Sequence, residues 1–252
     1  MKVLITGASS GIGRDLARAF AKRGYDLVLI ARNKERLSNV KKELDSLVNV
    51  QIDLIDVSSF ENCIKIYEKY PDIDILVNNA GFGDCGYFNK TNLDKEINMI
   101  DTNIKAYHVL TKLYIKNMIE KKSGKILNVA SIAGFMPGPL MATYYSTKSY
   151  VVRLSESIRE ELKKENSNVK ISILCPGPVA TNFNKTANVK FKIREANSEK
   201  IAEYAVKKLL KGKFYIVPGI DIKLAKLGAK IIPSNLIAKI NYVVQKRKVY
   251  EK

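Results

Sequence analysis

The chain has 252 residues, 46% apolar and 27% charged, with a formal net charge of +18. This length suits one large α/β domain or two small ones. Three cysteines without metal-ligand spacing and a single histidine exclude a disulfide framework and a His-based metal cluster, and they fit a reducing cytoplasm. The charge is uneven: residues 185–252 hold 17 Lys/Arg against 5 Asp/Glu. Such a basic third suits an anionic cofactor, lipid or nucleic acid, or serves only solubility. No aromatic-interleaved basic motif accompanies it, so nucleic acid is not expected as a partner. No secretory signal is expected, because the apolar run from Met1 to Ile5 is short and leads into a glycine-rich turn. The longest uncharged run, Ile126 to Thr147, is interrupted by Gly134, Pro137, Gly138 and Pro139, so it does not read as a spanning helix.

Lys2 to Thr6 reads as a strand, followed by Gly7-Ala8-Ser9-Ser10-Gly11-Ile12-Gly13 and an amphipathic helix with Leu16, Ala17, Phe20 and Ala21 on one face. Gly24 is a candidate C-cap for that helix. Asp26 to Ala31 is nearly all apolar, as a parallel strand covered on both faces should be. This is a βαβ unit with a glycine-rich first turn. Its helix N-terminus offers N–H groups and a positive dipole end to a pyrophosphate. The spacing is Gly-x-x-x-Gly-x-Gly rather than Gly-x-Gly-x-x-Gly. The second strand ends in Ile30-Ala31-Arg32-Asn33, with no acid to hold a ribose 2′-OH. Arg32, with Lys34 as a second candidate, points to a 2′-phosphate and so to NADP(H). The plainer alternative is that Arg32 starts a solvated helix over 34–46.

Val50 to Val57 is the third expected strand. Either Asp53 or Asp56 then faces an adenine amino group or caps the helix at 59–69. Asp74 to Val77 is the fourth strand and runs into Asn78-Asn79-Ala80-Gly81, where small residues let a cofactor lie against backbone. The loop 82–91, with its glycines and Cys85, is a candidate substrate wall. A long helix over about 93–119 carries Ile97, Ile100, Ile104, Leu110 and Leu113 in helical rhythm. It also contains Asn103, which needs partners if buried, and His108, which reads as an ordinary helix residue. Lys125 to Ala130 is the fifth strand, followed by Ser131 and a Gly/Pro-rich loop. On the next helix, to about Lys164, Tyr144 and Lys148 stand one turn apart. An ammonium beside a phenol is expected to pull the phenol down from its usual value of about 10, toward a general acid for carbonyl chemistry. Val169 to Cys175 is the sixth strand, ending in Pro176-Gly177-Pro178-Val179-Ala180-Thr181. Residues 182–197 read as a polar, basic, mobile loop, Ser198 as the cap of a helix to about Leu210, and Phe214 to Val217 as a seventh strand. Two amphipathic pieces split by Pro233 complete the chain. In the second, Leu236, Ile237, Ile240, Val243 and Val244 share a face, with Lys239, Gln245 and Lys246 elsewhere. No internal repeat and no domain boundary is visible.

With these residues assembled, the chain resembles the short-chain dehydrogenase/reductase family from residue 2 to about 220. The resemblance rests on Thr6-Gly7-x-x-x-Gly11-Ile12-Gly13, Asn78-Asn79-Ala80-Gly81, Asn103, Ser131, Tyr144-x-x-x-Lys148 and Pro176-Gly177. It implies a Rossmann-type α/β fold, a doubly wound parallel sheet of about seven strands in a single domain. It implies a tetrad: Tyr144 as acid/base, Lys148 lowering its pKa and holding the nicotinamide ribose, Ser131 fixing the substrate carbonyl, and Asn103 supporting a water that links Lys148 to solvent. It also implies cofactor contacts from Gly7, Ser9, Ser10, Gly11, Ile12 and Gly13. Further contacts would come from Arg32, Asp56 and Val57, from Asn79, Ala80 and Gly81, and from Pro176, Gly177, Val179 and Thr181. Ser10 departs from the base that many NADP-preferring relatives carry before Gly11, so the NADP(H) preference rests on Arg32.

The expected protein is a cytoplasmic NADP(H)-dependent oxidoreductase acting on a carbonyl or secondary alcohol, and a homo-oligomer by resemblance. The alternative is a dinucleotide-binding regulator without turnover. Residues 1–220 form the catalytic domain in this reading. Residues 221–252 form a basic amphipathic extension packed on it, as in a subgroup of bacterial oxidoreductases with the run Val217-Pro218-Gly219. The favoured role for 222–244 is to cover the substrate cleft or an oligomer surface, with anionic membrane as the other reading.

Overall fold

The structure, a computed structural model, describes residues 1–179, 181, 183 and 196–250, with side chains to residue 246. Most of the stretch 182–197 therefore lies outside the described residues, as does Ala180. Seven strands, β1 (Lys2–Thr6), β2 (Asp26–Ala31), β3 (Val50–Leu54), β4 (Ile75–Asn78), β5 (Lys125–Val129), β6 (Lys170–Leu174) and β7 (Tyr215–Ile216), form one parallel sheet. Their order is β3-β2-β1-β4-β5-β6-β7. Winding reverses between β1 and β4, and that is where such sheets bind ligands.

Alternation along the strands feeds two cores. Val3, Ile5, Leu27 and Leu29 face α1 (Gly11–Ala21), α2 (Lys34–Leu44) and α7 (Ser198–Leu210). Leu4, Val28, Ile30 and Leu76 face α3 (Phe60–Lys69), α5 (Ala106–Glu120) and α6 (Ala142–Lys164). Strands buried on both sides need apolar residues at nearly every position, and these have them.

The boundaries depart from expectation in informative places. β3 stops at Leu54, so residues 55–57 leave the sheet toward the switch point. Ser59, not Asp53 or Asp56, caps α3 by accepting from Asn62 N–H. Asn197, not Ser198, caps α7, while Ser198 Oγ donates to Asp15 Oδ2 at 2.5 Å. Gly24 takes φ +76° two residues beyond the cap at Lys22. The long helix is broken into α4 (Leu93–Ile100), a π-helical turn over Asp101–Lys105, and α5. The extra residue in that turn rotates the preceding stripe, and Ile97 and Ile100 are left exposed.

The C-terminal helices, α8 (Ile220–Ile231) and α9 (Ser234–Tyr250), invert the expected polarity. Of the apolar face of α9 only Ile237 is buried, whereas Gln245 is 2% exposed. The polar side faces the protein: Asn241 donates to Pro137 O, and Gln245 Nε2 donates to Tyr145 Oη at 2.7 Å. Among the described residues, no helix is long and apolar enough to cross a membrane.

A buried polar chain ties the sheet to the site helix. Asn78 Nδ2 donates to Asn128 Oδ1 (2.9 Å) and Thr111 Oγ1 (3.0 Å), and Asn128 Nδ2 donates to Ser155 Oγ (2.9 Å). These bonds fix β4, β5, α5 and α6 to one another. Asn128→Ala is expected to cost about 2–4 kcal/mol in urea unfolding, because it strands two buried partners. A change below about 0.5 kcal/mol would show that the chain does not hold these elements together.

Candidate active site

β1 carries Gly7 to the switch point. Gly7 and Gly11 have φ +66° and +54°, which glycine adopts without strain. A Cβ on Gly7 would lie 2.8 Å from Ala80 Cα, and one on Gly13 would lie 2.3 Å from Gly7 O. Asn79 locks this approach, its Nδ2 donating to Thr6 O (2.9 Å) and Gly7 O (3.2 Å). Ser10 starts α1 in extended conformation and makes no side-chain capping bond. The first-turn N–H donors thus stand without a side-chain cap at the wall formed by Ser9, Ser10, Gly11 and Ile12. Thr181 lies over this turn, its Cγ2 3.0 Å from where a Gly11 Cβ would be.

These residues line one end of a cavity of about 430 Å³. Arg32 and Asp56 line it beyond β2 and β3 and pair with each other at 3.2 Å. Burial works to raise the Asp56 carboxyl, but the Ser58 N–H and Arg32 outweigh it and hold the group below the usual range. Asp53 is engaged elsewhere, by Lys69 (2.8 Å) and Tyr70 Oη (2.8 Å), so Asp56 is the carboxylate at the cavity. Arg36, one turn into α2, also lines it, whereas Lys34 does not. Val57, Ala80, Gly81, Pro176, Gly177 and Val179 complete the walls. Asn78, within the same motif as Asn79, points into the polar chain beneath the sheet instead.

At the other end of the cavity stand Ser131, Tyr144 and Lys148. Ser131 Oγ lies beside the Tyr144 phenol, donates to Pro176 O at 3.5 Å and accepts from Ala133 N–H at 3.2 Å. Lys148 is 5% exposed, and its ammonium donates to Val129 O at 2.9 Å. It lies 5.3 Å from the Tyr107 ring centroid and 6.0 Å from that of Tyr144. Burial pushes the ammonium down to about 8. Asn103, in the π-turn, is fully buried. Its Nδ2 donates to Phe82 O (2.9 Å) and Thr147 Oγ1 (3.0 Å), and its Oδ1 accepts from Phe82 N–H (3.1 Å). The same Oδ1 stands 2.9 Å from where a Gly81 Cβ would be, and Lys148 Nζ stands at 3.4 Å from that point. The π-turn thus brings Asn103 to the lysine beneath the cavity wall, which its neighbour Thr102 lines.

One expectation is reversed. The Tyr144 phenol is not lowered. Burial pushes it well above its ordinary range, the neighbouring Ser131 hydroxyl opposes this, and Tyr145 adds to it. The Lys148 ammonium is committed to Val129 O and offers no close bond to the phenol. The result is a phenol that keeps its proton.

The outer cleft adds Met141, Phe183 and Gln245, which carry no site signal in the chain, to Cys85 and Tyr145. Met141, Cys85, Tyr145 and Phe183 cluster against Tyr144, and Tyr144 and Phe183 rings stand 5.2 Å apart. Cys85 belongs to the loop that the sequence marks as a substrate wall. Gln245 also lines the cavity, and its buried Oε1 has no hydrogen-bond partner among the described residues. Only its contact with Tyr145, 100 positions away, reveals it. His108 Nδ1 meets Tyr150 Oη at 2.7 Å on the exterior.

The donor set fits a dinucleotide. It has a glycine cradle with no room for Cβ atoms, an uncapped helix N-terminus, two guanidiniums at the far end of β2, and a cavity running from there to Tyr144. Residues 1–191 match the family described as short chain dehydrogenase. Human "Dehydrogenase/reductase SDR family member 7" is 38% identical over 193 residues, covering 73% of this chain and 56% of the human protein. The chain thus spans little more than half of that relative's length. "NADP-dependent 3-hydroxy acid dehydrogenase YdfG" of Escherichia coli is 33% identical, with 82% of this chain and 83% of that protein covered. A solved short-chain dehydrogenase from Sphingobium yanoikuyae, in complex with NADPH, superposes with a TM-score of 0.82 at 27% identity, covering 92% of this chain and 96% of that one.

The buried lysine makes stability depend on pH. Its folded value of about 8 lies below the ordinary 10.5, so the unfolded chain binds the extra proton and stability rises as pH climbs from about 8 toward 10.5. A Lys148→Met variant lacks this term. Urea unfolding of both cofactor-free proteins should show wild type gaining about 2 kcal/mol on the variant between roughly pH 7.5 and 9.5. Parallel pH profiles would mean that Lys148 is not held in a desolvated state.

Proposed function

The chain belongs to the short-chain dehydrogenase/reductase family, and from that premise we propose that it is an NADP(H)-dependent oxidoreductase interconverting a carbonyl and a secondary alcohol. The observation that carries this reading is the Tyr144 phenol, half-buried beside Ser131 and one helical turn from Lys148, in a cavity that reaches the uncapped α1 N-terminus. When bound, the nicotinamide supplies or accepts the hydride. Tyr144 holds the transferable proton at Oη and gives it to the substrate oxygen in the reducing direction. Ser131 Oγ donates to the same oxygen, a bond that strengthens as negative charge develops there. Lys148 anchors a ribose hydroxyl and lowers the cost of negative charge on Tyr144. Asn103 sets the position of the segment at Phe82 and, through Thr147, of the turn that bears Tyr144.

Arg32 and Arg36 support NADP(H) over NAD(H), since a 2′-phosphate gives two guanidiniums a dianion to meet. Met141, Tyr145 and Phe183 favour a substrate with an apolar body, and Gln245 Oε1, without a partner among the described residues, favours one that also carries a hydrogen-bond donor. A homo-oligomer agrees with the exposed Ile97, Ile100, Ile119 and Tyr150 on α4, α5 and α6, which a second copy would cover.

Tyr144→Phe should retain NADPH binding within about twofold and lose at least about a thousandfold in turnover on a carbonyl panel. Near-normal turnover would remove Tyr144 from proton transfer. Arg32→Ala should raise the KM for NADPH about tenfold and leave that for NADH within about twofold, as expected for one charge-assisted bond. An equal change for both cofactors would contradict the 2′-phosphate assignment.

A further inference from the structure

Among the described residues, nine of the nineteen large apolar side chains that remain exposed lie between 220 and 244. They are not scattered. On α8, Ile220, Leu224, Leu227 and Ile231 recur at spacings of 4, 3 and 4, which is one helical face. They are between 54% and 76% exposed. The opposite face of α8 is already occupied: Ile222 packs into the core, and the Lys226 ammonium sits over the Tyr215 and Phe135 rings. On α9, Leu236, Ile240 and Val243 form the outer stripe, each about half exposed. The inner side of α9 is likewise spent, on Asn241 to Pro137 O, Tyr242 Oη to Tyr87 Oη (3.0 Å) and Gln245 to Tyr145 Oη. Both helices therefore turn their polar or committed side to the protein and an apolar stripe outward. A helix stabilised by its own domain would do the reverse.

Charge identifies the occupant. Residues 220–250 contain seven Lys/Arg and one Asp. Lys223 and Lys230 flank the α8 stripe, Lys239 and Lys246 flank that of α9, and all four are exposed. Long stems beside an apolar stripe let the ammonium reach the headgroup level while the stem lies along apolar surface. A second copy pairing through this face would set two strongly basic surfaces against each other, which is unfavourable. A bilayer with anionic headgroups satisfies both halves of the surface, its acyl boundary the stripes and its headgroups the lysines. We propose that the outer face of α8 and α9 docks in the plane of an anionic lipid bilayer, making the protein a peripheral membrane protein.

Co-sedimentation of the full chain with phosphatidylcholine vesicles, and with vesicles containing equal phosphatidylcholine and phosphatidylglycerol, tests this. The protein should partition onto the anionic vesicles at least about tenfold more than onto the neutral ones and be released by high salt. Two variants, Leu224→Asp/Leu227→Asp and Lys223→Glu/Lys230→Glu/Lys239→Glu, change only exposed side chains. Each should lose at least about tenfold in partitioning while keeping wild-type thermal unfolding and NADPH affinity. Three results would overturn the proposal. One is no enrichment of wild type on anionic vesicles. Another is unchanged partitioning of both variants when both are folded. The third is light scattering showing that either variant dissociates an oligomer, which would assign the face to a second copy.

Discussion

The structure around the switch point depends on keeping one lysine ammonium away from water. Lys148 is almost fully buried, and its ammonium donates to the Val129 carbonyl at 2.9 Å. Burial alone brings its pKa down to about 8. A charge held so deep persists only if its surroundings hold the geometry for it. Gly134 lets the backbone near Ser131 approach Lys148 O, where a Cβ would stand 2.7 Å away. Gly81 gives room for both Nζ and Asn103 Oδ1. The polar chain from Asn78 through Asn128 to Ser155 fixes the helix that carries the lysine to the strands that face it.

Most of the fold was legible because its signals are local. β1 and β2 are apolar at nearly every position, and a glycine-rich turn stands between them, after a strand and before a helix. The pair Tyr144 and Lys148 was readable as one face of a helix, and the structure brings both to the cavity with Ser131. What escaped the sequence was non-local. The π-turn at 101–105 has no marker in the chain, yet it decides where Asn103 points and why Ile97 and Ile100 are exposed. The protonation of Tyr144 was read from one neighbour, Lys148, whereas burial outweighs any single neighbour here. Arg36 was passed over for Lys34 because position along α2, not proximity to Arg32 in sequence, selects the wall.

The C-terminal helices show the same limit most plainly. Periodicity finds the apolar stripe on α9 but not the side to which it turns. Here the inner side is claimed by Tyr145, Tyr87 and Pro137, which offer hydrogen bonds and not an apolar groove. One helix thus supplies Gln245 to the cleft and an apolar, basic surface to the exterior. Its two faces do separate work, and neither could be assigned without the other.

The central claim is that this cavity carries hydride chemistry with Tyr144 as proton donor. Isotope transfer tests it most directly. Incubating the protein with ketones and NADPH deuterated at C4 of the dihydronicotinamide, in either configuration, and recovering the alcohol by mass spectrometry and NMR should place one deuterium on the carbinol carbon from a single C4 face. Alcohol formed without deuterium from either label, or no alcohol across a broad panel despite tight NADPH binding, would contradict it.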